Sequence, residues 1–152
     1  MRAVIIMIAL LSCCSAADVL LNEVELGPPA GSSDWVELYN SGNESVVIGG
    51  WCVRILDGSW IGEICLPDNA LIEPHGFYVA LGRKEWMHNN SGVVQLIDDA
   101  GNIVDESPFR TDALANDMTW GRYPDGHDRD TAGDWGYMMG TMGSPNMISG
   151  KA

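Results

Sequence analysis

A two-residue reversal, Gly58-Ser59, constrains this chain more than any other feature. Residues 34–66 read DWVELYN, the polar turn SGNE, the apolar run SVVI, the bend Gly49-Gly50, then WCVRILD, Gly58-Ser59 and WIGEICL. These are four strand-like runs parted by turn chemistry, with no helix-period segment between them. Glycine first and serine second suits a type II′ hairpin. Counting outward pairs Asp57 with Trp60, Leu56 with Ile61, Ile55 with Gly62, Arg54 with Glu63, Val53 with Ile64 and Cys52 with Cys65. Side chains alternate along a strand, so Trp51, Val53, Ile55, Ile64 and Leu66 share an apolar face while Cys52, Arg54, Glu63 and Cys65 share the other. The register sets opposite charges across from each other, worth about 0.2–1 kcal/mol. It also places Cys52 beside Cys65 at a non-hydrogen-bonded pair, where Cα atoms lie roughly 4.5 Å apart, within reach of a disulfide.

The first residues carry the marks of an export signal. Arg2 is followed by an unbroken apolar run over residues 3–11 and by the small-residue cleavage site Ser15-Ala16-Ala17. That run is too short to span a bilayer, which needs about 20 residues. Leu10-Leu11-Ser12-Cys13 resembles a bacterial-type lipobox, which would make Cys13 the lipidated start of an anchored chain. Cleavage after Ala17 instead leaves 135 of the 152 residues, the size of one domain. An exported chain lives where disulfides persist, so Cys52 and Cys65 are expected to bridge, stabilising by at most about 3 kcal/mol. The alternative is two free thiols.

The chain has 8 Lys+Arg against 21 Asp+Glu, or 7 against 21 without Arg2, a net charge of −14. Such a surface repels phosphate backbones and excludes nucleic-acid binding by counterion release. No later apolar run reaches membrane length. Outside the hairpin, residues 18–26 read as an opening strand, 35–40 and 45–48 as the next two, 67–73 as a surface run, and 77–81 as a buried strand. Residues 83–92 read as polar loop with room for a helical turn around Lys84-Glu85-Trp86-Met87. Residues 93–97 and 102–104 form a further hairpin, and 118–122 is the last expected strand before a Gly/Asp-rich tail. Eight or nine short strands with turns every 8–12 residues and almost no helix predict an all-β sandwich in one domain, residues 18–146, with a short tail at 147–152.

Several short motifs then fall in a familiar order: Leu21-Asn22-Glu23-Val24, Asp34-Trp35-Val36-Glu37-Leu38-Tyr39-Asn40, Gly50-Trp51, Ile72-Glu73-Pro74-His75-Gly76-Phe77-Tyr78, Val104-Asp105, Gly121-Arg122-Tyr123-Pro124-Asp125-Gly126 and Gly143-Ser144-Pro145-Asn146. In order and spacing they resemble the lamin tail domain, in its prokaryotic secreted form, over about residues 19–146. The resemblance implies an immunoglobulin-like β-sandwich and a tethering role beside extracellular hydrolases. No heptads occur here, so filament assembly does not carry over, and the acidic balance opposes the chromatin contact of nuclear relatives.

Candidate chemistry is sparse. G-x-S-x-G, H-E-x-x-H and P-loop motifs are absent. His75, His88 and His127 stand alone and read as surface residues. Glu23, Glu25 and Glu37 lie on strands that can be neighbours, yet an acid–base pair needs a cleft and a separation of about 5–9 Å. Catalytic residues are therefore not assigned. Asp125, Asp128, Asp130 and Asp134 form an oxygen-rich loop of the kind that holds Ca²⁺, although Ala132 breaks the EF-hand template, and a solvated acidic loop serves equally. Apart from calcium no cofactor is expected. Of the six tryptophans, Trp60, Trp86 and Trp135 are candidates for stacking on sugars; the competing reading folds Trp120 and Trp135 back onto the sandwich. Asn43 and Asn89 head glycosylation sequons in expected loops. The sequence thus predicts an exported, non-catalytic binding or adhesion module facing a cell-surface protein or glycan. A carbohydrate-binding module is the alternative, and an acid–base hydrolase a third.

Overall fold

The computed structural model describes residues 18–82 and 86–148. The expected signal peptide, Cys13 and residues 149–152 lie outside them. Among the described residues the chain forms twelve strands: β1 Val19–Glu25, β2 Trp35–Asn40, β3 Val46–Val47, β4 Cys52–Asp57, β5 Trp60–Cys65, β6 Leu71–Ile72, β7 Phe77–Leu81, β8 Ser91–Ile97, β9 Ile103–Glu106, β10 Arg110–Thr111, β11 Met118–Arg122 and β12 Trp135–Met139. Two antiparallel sheets carry the fold, one ordered β12-β11-β1-β2-β7 and the other β10-β8-β4-β5 with β9 also on β8; β3 and β6 pair separately.

The β4–β5 hairpin has the expected register, from Asp57↔Trp60 to Cys52↔Cys65. Gly58 adopts φ +62° while Ser59 stays at negative φ, as a type II′ turn requires. The two cysteines are bridged, with Cα atoms 4.0 Å apart. Arg54 Nη2 and Glu63 meet at 2.7 Å on the outer face. Inward, Trp51, Val53, Ile55, Ile64 and Leu66 pack against Val19, Leu21 and Val24 of β1, Val36 and Leu38 of β2, and Val94 and Leu96 of β8. Each sheet thus turns its alternating apolar face to the other, which is the sandwich that the strand pattern predicts.

Four local expectations are corrected. The strand count rises from eight or nine because β3, β6 and β10 have two residues each, too few to show an alternation. Residues 67–73 are not a plain surface run, since Ala70 and Ile72 are buried and β6 lies among them. Strand β11 is not the last: β12 pairs with it from Met118↔Met139 to Arg122↔Trp135 and extends the sheet. Finally, Trp86 is buried rather than displayed in a polar loop. Its indole N–H donates to Val53 O at 3.3 Å, and its own carbonyl accepts from Trp60 Nε1 at 3.3 Å. That carbonyl would lie 1.8 Å from a Cβ at position 62, so β5 needs Gly62 there. The helical turn expected around residues 84–87 falls partly outside the described residues; Trp86 itself is in a turn.

Candidate binding surfaces

The outer face of the β1–β2 pair is closed by the chain's own C-terminal residues. A register shift between Leu21 and Glu23 makes Asn22 the extra residue of a bulge. Bulges re-aim side chains, and here Asn22, Glu23 and Glu37 are all buried to 0 % exposure. Glu23 stands directly across from Glu37 on one side and Gly121 on the other. Over them runs the segment 140–146. Thr141 donates its backbone N–H to Glu23 Oε1 at 3.1 Å, and Gly143 donates to Glu37 Oε2 at 2.6 Å. Asn146 Nδ2 donates to Asn22 O at 3.2 Å and to Arg122 O at 2.9 Å. Asp125 joins the seam, accepting from Asn22 Nδ2 and from Asn146 N, each at 2.9 Å.

The donors around this carboxylate pair are neutral. Asn22 Nδ2 donates to Glu37 Oε1 at 3.0 Å, and Thr119 Oγ1 donates to Glu23 Oε1 at 2.5 Å. Burial raises the Glu37 carboxyl to about 7, against the pull of Asn22 and Gly143, with Glu23 and Asp125 adding to the rise. Burial likewise raises Glu23, opposed by Thr119 and Thr141 and reinforced by Asp125. Proton counting points the same way. Thr141 Oγ1 has one proton but lies 3.0 Å from Glu23 Oε2 and 2.8 Å from Asn146 Oδ1. Both contacts are satisfied when Glu23 is protonated and donates to the hydroxyl. The expected closeness of the strand carboxylates is real, but they meet beneath a cover rather than in a cleft.

Arg122 organises the next layer. Its side chain is 2 % exposed; Nη2 lies 3.0 Å from Asp105 Oδ1, Nη1 lies 2.8 Å from Asp128 Oδ1, and Nε donates to Leu21 O at 2.8 Å. The guanidinium also lies 4.9 Å from the ring centre of Trp135. Trp135 is accordingly buried, and with Trp86 it is corrected from an exposed stacking platform to a packed residue. The tail folds back onto the sandwich, as the competing reading of Trp120 and Trp135 has it. Trp60 is half-buried, its ring stacked on His88 at 5.4 Å.

Three of the four tail aspartates serve different partners. Asp125 belongs to the seam and Asp128 to Arg122, while Asp134 binds Arg129 Nε at 2.9 Å and the backbone N–H groups of Arg129 and Thr131. Burial opposes ionisation of Asp134, but these donors outweigh it and hold the carboxyl well below the usual range. Asp130 is exposed at φ +55°. Among the described residues the one trio of metal-ligating side chains with donor atoms within 4.8 Å is Cys52, Glu63 and Cys65, where the two sulfurs are bonded to each other. Asn43 and Asn89 are exposed, Asn43 near His75 and Asn89 donating to Asp57 Oδ1 at 3.0 Å.

A second carboxylate region lies at the far end of the same sheet face. Glu25 pairs with Trp35 across β1 and β2, and both line a cleft of about 440 Å³ with Pro28, Leu81, Asp117 and Met142. Burial raises Glu25 to about 7, Gly27 N–H opposing and Asp112, Asp34 and Asp117 adding to it. Sequence reasoning grouped Glu25 with Glu23 and Glu37 but missed this cleft, which is walled by residues from β7 and from the loop after β12.

The family model of the lamin tail domain matches residues 14–110, which run from before β1 to the start of β10. The chain belongs to the lamin tail domain family. The immunoglobulin-like sandwich of that family is the architecture described above. In this lamin tail domain, β11, β12 and the covering segment 140–146 come after the matched residues, although they complete the sheet begun by β1. No curated protein matches the chain.

Proposed function

We propose that this lamin tail domain is an exported, non-catalytic binding module that docks on a protein or glycan at a cell surface or outside the cell. The observation that carries the reading is the covered seam. The carboxylate pair best placed for acid–base work is fully buried and engaged by Thr119, Thr141 and Gly143, leaving no space for a substrate. A bridged cysteine pair and the absence of a long apolar helix among the described residues are compatible with an extracellular setting.

The test uses labelled protein on intact cells of the source organism and on the same cells after surface proteolysis. Saturable binding supports docking, and its loss after proteolysis assigns it to a protein partner. Turnover of ester or glycoside substrates counts against this account whether or not it survives Glu37→Gln together with Glu23→Gln, as does absence of binding. Mass spectrometry of the native protein reads the start residue, and so whether the leader is removed or Cys13 is lipidated.

A sugar-binding reading is favoured by one observation: Trp60, at the tip of the β4–β5 hairpin, keeps part of its ring exposed beside His88. Polysaccharide retention that persists in Trp60→Ala removes it.

A further inference from the structure

The cleft at Glu25 has features that the covered seam lacks. Glu25 is 3 % exposed and Trp35 6 % exposed, yet both line an opening to solvent. One Glu25 oxygen accepts from Gly27 N–H at 2.9 Å. Its other oxygen and the Trp35 indole N–H have no hydrogen-bond partner among the described residues. Both atoms face the opening rather than the packed interior, where the one unpartnered side-chain atom among the described residues is Arg110 Nε, so both are free to meet a ligand from solvent. Asp117 lines the cleft with Glu25, while Asp34 and Asp112 add negative charge to its surroundings, and no ion pair joins any of these four carboxylates to a cation among the described residues. The walls are apolar, with Leu81 58 % and Met142 49 % exposed at the rim. A hard metal ion demands six or more oxygens and gains nothing from such walls. A cation on an aliphatic stem uses both parts, its stem on the apolar walls and its head at the carboxylates. The aromatic face of Trp35 adds attraction for the charge.

We propose that this cleft takes a lysine or arginine side chain of a partner protein, its stem on Trp35 between Leu81 and Met142 and its charged end at Glu25 and Asp117. The proposal rests on the binding-module reading. A protein is favoured over a free amine because β7, which ends in Leu81, is the outermost strand of its sheet. An extended segment running along that edge would deliver a side chain to the cleft. The net charge of −13 attracts basic partners at longer range.

The test is an NMR titration of the ¹⁵N-labelled protein at pH 8, where Glu25 is ionised. The ligands are a blocked Gly-Gly-Lys-Gly-Gly peptide, its arginine and norleucine counterparts, and cadaverine. Saturable shifts of the Trp35 indole and the Glu25 and Gly140 amides are expected with a basic peptide, with the norleucine peptide at least about tenfold weaker. Asp117→Asn and Glu25→Gln are each expected to weaken binding about tenfold, while Asp99→Asn, the same loss of charge in the exposed loop before β9, leaves it unchanged. Asp117 is exposed, so its variant keeps the fold. Absence of saturable shifts at these signals with both basic peptides, or equal affinity for norleucine, overturns the proposal. Cadaverine binding as tightly as the peptides overturns the assignment to a protein. Surface binding that persists while the peptides fail discards the cleft alone and leaves the module reading standing.

Discussion

Glu37 and Glu23 face each other with hydroxyl, amide and backbone donors but no cation in contact, and this fixes the sign of their pH dependence. Their folded-state carboxyls titrate above the ordinary value, Glu37 at about 7. The stability they contribute is fully present below the unfolded-state value and is lost as pH rises through the folded one. Thermal melts are therefore expected to show a lower midpoint at pH 8 than at pH 5.5, and Glu37→Gln, which keeps the shape without the charge, is expected to shrink that difference. An unchanged difference in the variant would assign the effect to other groups. Arg122 follows the opposite logic. Its removal in Arg122→Met leaves Asp105 buried without its cation and is expected to destabilise by about 3–5 kcal/mol, read from urea unfolding. The spacing of Glu23, Glu25 and Glu37 is visible in the sequence, but their burial is not. The residues that cover them come more than a hundred positions later, beyond the reach of any local pattern.

At the scale of elements, the β4–β5 hairpin was legible because Gly58-Ser59 admits one turn type, and a turn type sets every pair outward from it. Strands β3, β6 and β10 were not legible, since two residues carry no period. Strand β12 was hidden because WGYMM follows a Gly/Asp-rich stretch, and its two buried residues, Trp135 and Met138, stand three positions apart, which is not a strand period. Trp86 was misread because its flanks are polar. What buries it is Gly62, whose lack of a side chain lets the Trp86 backbone press onto β5. Gly62→Ala is thus expected to cost about 1–3 kcal/mol through overpacking, measured by denaturant midpoint. Replacing both Cys52 and Cys65 by alanine is expected to cost at most about 3 kcal/mol and to leave the far-UV spectrum unchanged, because the register also rests on the turn and the core face.

For the molecule as a whole, the acidic tail is fastened by its own aspartates. Asp125, Asp128 and Asp134 already accept from Asn22, Arg122 and Arg129. A melt with and without chelator is accordingly expected to give the same midpoint, and a drop on chelation would place calcium at the loop. Asn146 reaches back across 124 positions to the carbonyl of Asn22, and β11 and β12 complete the sheet that β1 opens. A ribosome delivers β11, β12 and residues 140–146 long after β1 has emerged. Until then the first strand has a partner on one flank only and two acidic side chains open to water. Closure of that face must wait for Asn146, and a message cut short of its codon leaves the sheet unsealed.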